Sequence, residues 1–167
     1  TTQLRLAYDA TGYVDIYADA GGDLQVVPEG GAVYQNASAV NSYSRHGSYV
    51  LTAFTTTGIK EAMTLSPGGG ALTLTTNTNW FFDGLFVGKQ DASGNTLTIK
   101  LQGVAQRQAG SASILGAVFK FVVHDDSLGV WDVDATAAGN NLVINVTGQA
   151  GTNIDWIGHL RTTEVQD

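Results

Sequence analysis

The chain has no cysteine. Disulfide bridges and thiolate metal sites are therefore excluded, and redox chemistry says nothing about compartment. No apolar run reaches the roughly 18 residues that a membrane-spanning helix needs. No basic-then-apolar start resembles a signal peptide. The first residue is Thr1 rather than Met, so a processed chain or an excised fragment is expected. Charge is also scarce, at 14% of residues against about a quarter in ordinary domains. Lys and Glu, which cover exposed helices, are few. Eight lysines and arginines are scattered among fifteen acids, for a net charge of −7. Neutralising phosphates takes clustered cations, so neither a nucleic acid partner nor membrane insertion is expected.

Glycine is abundant, with 21 residues, and Thr, Asn and Ser are plentiful. This is the composition of a β protein with a neutral, polar surface, and it often accompanies extracellular or particle-borne proteins. At 167 residues the chain can bury roughly two-thirds of its unfolded surface without staples.

Period-2 alternation recurs along the chain and period 3.6 hardly appears. Residues 4–8, 13–17 and 24–27 read as three short strands of a meander, the last ended by Pro28, which removes a ladder donor. Over 37–48 the pattern dissolves into polar residues. Residues 49–57 form a β-branched and aromatic run, and 59–66 suit a short strand or one helical turn. Pro67-Gly68-Gly69-Gly70 is the strongest break. It divides the reading into an N-terminal meander and connector section, 1–66, and a C-terminal sandwich domain, 67–167. Strands follow at 71–76, 80–89, 96–107, 114–124 and 130–136. The run 114–124 is apolar at nearly every position, as for a central strand covered on both faces. A final hairpin joins 142–147 to 154–165 over a corner at 148–151. Seven or eight strands spaced about 8–12 residues apart indicate an all-β fold, an antiparallel β-sandwich or jelly roll preceded by a small β-meander.

One local pattern repeats: GGDLQVV at Gly21, GGALTLT at Gly69, SGNTLTIKL at Ser93 and AGNNLVINV at Ala138. The intervals are unequal, which excludes a solenoid or propeller. These are hairpin entries in which glycine supplies the positive φ of a primed turn. In the last ribbon Leu142, Ile144, Val146, Trp156 and Leu160 take the core phase. Asp155, His159 and Arg161 take the opposite one, toward solvent or a neighbouring chain.

Catalytic signatures are weak. No Gly-x-Ser-x-Gly elbow frames a nucleophile. Asp132 and Asp134 share one face of a strand, and glycan hydrolysis needs two carboxyls roughly 5–9.5 Å apart, but solvent-facing aspartate accounts for them as well. His124, Asp125 and Asp126 carry hard ligands suited to calcium, yet no complete metal loop is present, so no cofactor and no metal residues are assigned. Pro67–Gly70 lacks the Gly-Lys-Ser/Thr of a phosphate cradle. Trp80, Phe81, Phe82, Phe86, Phe119, Phe121, Trp131 and Trp156 fall within strand patterns, and core is their default. The exception is the polar stretch 41–49, where Tyr43, Arg45, His46 and Tyr49 suit contact with a sugar or a protein. A solvated loop is the alternative there.

The order of these motifs carries a resemblance. LRLAYDATGYVD from Leu4, followed by GDLQVVP from Gly22, resembles a module of tailed-phage tail-fibre and other virion structural proteins. The C-terminal half resembles a second, terminal β module of such proteins. Its marks are GVAQR at Gly103, AGSASILG at Ala109, Asp125-Asp126 with Trp131-Asp132-Val133, LVINVTG at Leu142 and IDWIGHLRTTEV at Ile154. Together they cover about two-thirds of the chain. Residues 33–78 match nothing in this family and are where receptor contact is expected. The resemblance implies a virion protein of the phage tail, outside the cell, and frequently a homotrimer. It supplies no catalytic residues.

The expectation is then a non-enzymatic tail-fibre or other virion structural protein, a distal receptor-binding piece for host attachment. Its partners would be other tail proteins and a host-surface glycan or outer-membrane receptor. Two alternatives share the composition. One is a glycan-binding or glycan-depolymerising module using Tyr43, His46, Tyr49 or Asp132 and Asp134. The other is a bacterial surface adhesin domain.

Overall fold

The computed structural model describes residues 4–7, 13–18, 24–28, 32–38, 43–127 and 130–166, with side chains from His46 onward. Every element among them is a strand: β1 (Leu4–Ala7), β2 (Tyr13–Ala18), β3 (Leu24–Pro28), β4 (Ala32–Ser38), β5 (Tyr43–Thr55), β6 (Lys60–Ala62), β7 (Thr64–Leu65), β8 (Leu72–Thr73), β9 (Thr78–Gln90), β10 (Thr96–Arg107), β11 (Ser113–Asp125), β12 (Asp132–Ala138), β13 (Asn141–Thr147) and β14 (Ile154–Gln166). The first three form the expected antiparallel meander, with Leu4 opposite Ile16 and Val14 opposite Pro28.

The remaining strands build two antiparallel sheets. The large sheet runs β11-β10-β9-β14-β5-β4, with β7 on β5. The small sheet runs β12-β13-β6, with β8 also on β13. One buried cluster joins them. Phe82, Phe86, Leu97, Ile99, Leu101, Trp156 and Leu160 come from the large sheet. Val133, Leu142, Ile144 and Val146 come from the small one. Fully burying a side chain of this kind stabilises by roughly 1.5–3 kcal/mol.

Period 2 explains the large sheet. Burial along β14 alternates without a break from Ile154 to Val165, and along β9 from Thr78 to Lys89 nearly so. The five core residues assigned to the last ribbon are buried as expected. The reused glycines also behave as expected at the described positions. Gly69, Gly94 and Gly139 have φ of 68°, 75° and 56°, a region that a Cβ penalises.

Aromatic rings in the core lie flat against glycines of neighbouring strands. Phe86 of β9 stands opposite Gly158 of β14, and Trp156 stands opposite Gly88. A Cβ on Gly88 would come within 2.6 Å of the Trp156 ring. The indole of Trp156 donates to Thr55 Oγ1 at 2.9 Å and meets Trp131 edge-on at 6.0 Å.

Four expectations need correction. The polar run 41–49 enters a strand, because β5 starts at Tyr43 and pairs with β14 along its whole length. Backbone pairing on both sides outweighs the weak strand propensity of Ser, Gly and Arg. The boundary expected between residues 66 and 67 falls inside the sandwich. β5 and β6 precede it, yet they pair with β14 and β13. The final ribbon is not a hairpin: β13 belongs to the small sheet and β14 to the large one, so residues 148–153 carry the chain across the sandwich. Finally, β11 is not central. It pairs with β10 at the margin of the large sheet, with Phe119 74% and Phe121 66% exposed.

Candidate functional site

In β5, β14, β9 and β10 the residues that miss the core point to the opposite surface of the large sheet. The register sets them in rows. Thr163 stands between His46 and Phe81, Arg161 between Ser48 and Asp83, and His159 between Val50 and Leu85. β10 extends the rows with Gln102 beside Asp83 and Lys100 beside Leu85. β11 ends them with Phe119 beside Gln102 and Phe121 beside Lys100. Neighbours in such rows have Cβ atoms about 4.5–5.5 Å apart, so polar and apolar side chains interleave across the face.

Polar groups in these rows are tied in pairs. Ser48 Oγ and His159 Nε2 are 2.7 Å apart, and Thr163 Oγ1 and His46 Nδ1 are 3.2 Å apart. Arg161 Nη2 donates to Asp83 Oδ2 at 3.3 Å, and Lys100 Nζ approaches Asp83 Oδ1 at 3.5 Å. Asp83 thus sits between two cations. A depression of about 420 Å³ opens here, lined by His46, Ser48, Phe81, Asp83, Arg161 and Thr163 among others. It adjoins a second of about 230 Å³ reached by Lys100 and His159. A third, about 330 Å³ and apolar, lies over Val50, Leu85, Val87 and Ile157.

The sequence-assigned residues divide. His46 lines the large depression. Tyr49 does not join it: three positions on, it has the opposite phase, is 2% exposed and stacks on Trp80 at 6.1 Å. Its assignment to a binding surface is corrected. Tyr43 and Arg45 lie in β5, but their side chains fall outside the described residues. Asp155, His159 and Arg161 point away from the core, as the alternation required.

Phe81, Phe119 and Phe121 are corrected from core to surface. The neighbours of Phe81, Trp80 and Phe82, occupy the inward phase, and that phase was the signal that could have separated it; along β11 burial does not alternate around Phe119 and Phe121. Ser48, Asp83 and Thr163 were not singled out at all, because nothing local brings three strands together.

The carboxylates weighed earlier lie elsewhere. Asp132 accepts from Lys120 Nζ at 2.6 and 2.8 Å, which ties β11 to β12. Asp134 pairs with Lys60 and accepts from Asn145 Nδ2 at 3.0 Å. Each carboxylate of that pair is thus held by its own lysine, and neither lines a depression of the outer face. In the β11–β12 turn, Asp125 accepts from the backbone N–H and the hydroxyl of Ser127 at 2.9 and 2.6 Å. Those bonds hold its carboxyl below the usual carboxylate range. His124 lies 3.5 Å from Asp126. Among the described residues, no three His, Asp or Glu side chains converge as metal ligands.

No protein-family model and no curated protein sequence matches the chain. Among solved structures it is similar to the tailspike protein gp49 from Acinetobacter baumannii bacteriophage Fri1, a capsular polysaccharide depolymerase. The identity is 12% and the TM-score 0.37, over 76% of this chain and 19% of the tailspike chain. Against the expectation of a chain without enzymatic function stands the fact that this similar protein is an enzyme. At that identity and TM-score the likeness itself assigns no activity here.

Proposed function

We propose that the chain is a tail component of a phage virion, working outside the cell. It assembles with copies of itself through β11 and turns the β5–β14–β9 side of the outer face toward a host-surface glycan. The resemblance in sequence motifs supports the tail location, and the sparsely charged, strand-built surface of the described residues agrees with it. The observation that carries the assembly is β11 itself.

β11 has thirteen residues and the hydropathy of a strand covered on both faces, yet it lies at a sheet margin. Phe119 and Phe121 project from one side and Val122 from the other, all exposed. Fully buried, a phenylalanine removes about 150–250 Å² from water, so these two, at 74% and 66% exposure, leave roughly 210–350 Å² uncovered. Leu115, Val122 and Val123 are also exposed, so apolar surface is left uncovered on both sides of the strand. An exposed edge of this kind is a template for a further chain. Irregular pairing at Thr98/Ile99 and Gln102/Val104 bends the strand without hiding its side chains. A second copy is the proposed occupant, and the resemblance supports a homotrimer as the assembly.

Light scattering tests this. At micromolar concentration the expected mass is three times 17.5 kDa. Phe119→Glu combined with Phe121→Glu, both at exposed positions, should leave the circular dichroism unchanged and yield a monomer. A wild-type monomer would refute the assembly.

The glycan role rests on Phe81 beside hydrogen-bonding side chains in an open depression, an arrangement suited to a sugar ring. Binding of host polysaccharide should weaken on Phe81→Ala. A reducing-end release assay, run with Asp83→Asn in parallel, tells recognition from cleavage.

A further inference from the structure

The site on the outer face has a charge opposite to that of the chain. The protein carries −7 overall. Around the large depression and the one beside it, the cations Lys100 and Arg161 flank Asp83, the single carboxylate lining either one among the described residues. Two of the three histidines of the chain are here. At the far end of the face Lys89 stands opposite Asp155 in register, and Asp91 bonds to Asp155, so no cationic excess arises there. A cationic spot in an acidic protein focuses the field on anions and raises their local concentration.

We infer that this depression binds an acidic saccharide, one carrying a carboxylate on the sugar ring. The inference rests on the glycan reading above and names the class of sugar. Arg161 is 68% exposed and spends one nitrogen on Asp83. The rest of its planar fork is free for a bidentate carboxylate contact, the geometry that favours Arg over Lys. Asp83, itself only 19% exposed, orients that fork. Lys100 stands on the other side of Asp83 as a second positive charge. Ser48, His46 and Thr163 supply hydroxyl and imidazole groups for the sugar hydroxyls. Phe81, 45% exposed and lining the depression, supplies an aromatic surface for the apolar side of the sugar ring. The volume of about 420 Å³ lies within the 300–1,000 Å³ of ordinary ligand sites. The depression is centred on β14 and β5, three to four strands from β11. At about 4.8 Å per strand that is roughly 14–19 Å, while Phe81 and Asp83 on β9 are two strands from β11 and Lys100 on β10 stands beside Phe121, so a copy docked on β11 abuts the Lys100 side of the site and leaves the β14–β5 side open.

The test is affinity electrophoresis of the full chain in four polymers: polygalacturonate, its carboxyl-reduced form, dextran and dextran sulfate. Retardation is expected in polygalacturonate, with at least about a tenfold weaker effect after carboxyl reduction. Arg161→Gln should weaken binding by a similar factor and Lys100→Gln by less. Both side chains are substantially exposed, and circular dichroism checks that each variant is folded. Equal retardation by dextran sulfate, insensitive to Phe81→Ala, would reduce the site to generic ion exchange and overturn the inference. Equal binding of the neutral and acidic polymers, lost in Phe81→Ala, would overturn the charge assignment and leave the glycan reading standing. No retardation in any polymer would overturn both.

Discussion

Adding one methyl group at Gly158 should unsettle the core. A Cβ built there falls 2.5 Å from Phe86 Cε1, well inside van der Waals contact. The ring has no retreat. On its other side a Cβ at Gly84 would lie 2.6 Å from Phe86 Cε2, and Phe86 is fully buried. Gly158→Ala therefore overpacks a dense interior, at a cost of about 1–3 kcal/mol. Replacing a strand glycine recovers about 0.5–1 kcal/mol of backbone entropy, so a net loss of up to about 2.5 kcal/mol is expected. For a chain of this length that lowers Tm by up to about 10 °C. Urea unfolding should show a lower midpoint with an unchanged slope. Gly110→Ala is the control: no atom lies within 4 Å of its Cβ and its φ is not positive, so it should be neutral or stabilise by up to about 1 kcal/mol. Phe86→Leu should cost less in the Gly158→Ala background than alone, because the two positions share one space. If Gly158→Ala matches the wild type while the control behaves as stated, the ring-on-glycine account of the large sheet is wrong.

Other outcomes follow from named contacts. Thr55→Val should destabilise by about 1–3 kcal/mol in urea titration, since it strands the buried Trp156 indole N–H. Lys120→Ala should change stability by about 0–1 kcal/mol, less in high salt, because its pair with Asp132 is half-exposed. Asp91 raises the pKa of Asp155 above the ordinary carboxylate value of 3.8, through a side-chain hydrogen bond first and with burial adding to it. The folded state thus holds that proton more tightly than the unfolded chain. Any stability gained is present below pH 3.8 and lost as pH rises through the raised value. The Tm of Asp155→Asn should therefore gain on the wild type between pH 3 and pH 6, and a constant difference would refute the coupling. Asp125 has the opposite sign: its bonds to Ser127 stabilise above the ordinary carboxylate pKa and are lost on acidification, so Ser127→Ala should flatten the acid limb.

Much of the local structure was legible in the residues. β10 spans the residues assigned to it, β9 and β14 keep the expected phase, and Gly94 and Gly139 hold the left-handed conformations their turns need. These depend on neighbours in the chain, through side-chain period and Cβ sterics. The candidate site was legible only in part. His46 was singled out, whereas Tyr49, three positions on and of opposite phase, was wrongly placed with it. Once 41–49 is taken as a loop, no phase separates the two residues.

What the sequence determined alone was the class: short alternating ribbons, too uncharged for exposed helices and too acidic for phosphate. Which strands meet was decided by tertiary structure. β14 lies between β5 and β9, segments separated by scores of residues, and only that pairing brings Ser48, Asp83 and Arg161 into one row. The same holds for β11, whose apolar run reads as interior yet lies at an edge. Hydropathy records how much burial a strand requires. The neighbour that provides it is selected by long-range pairing, within the chain for β14 and, we propose, between chains for β11.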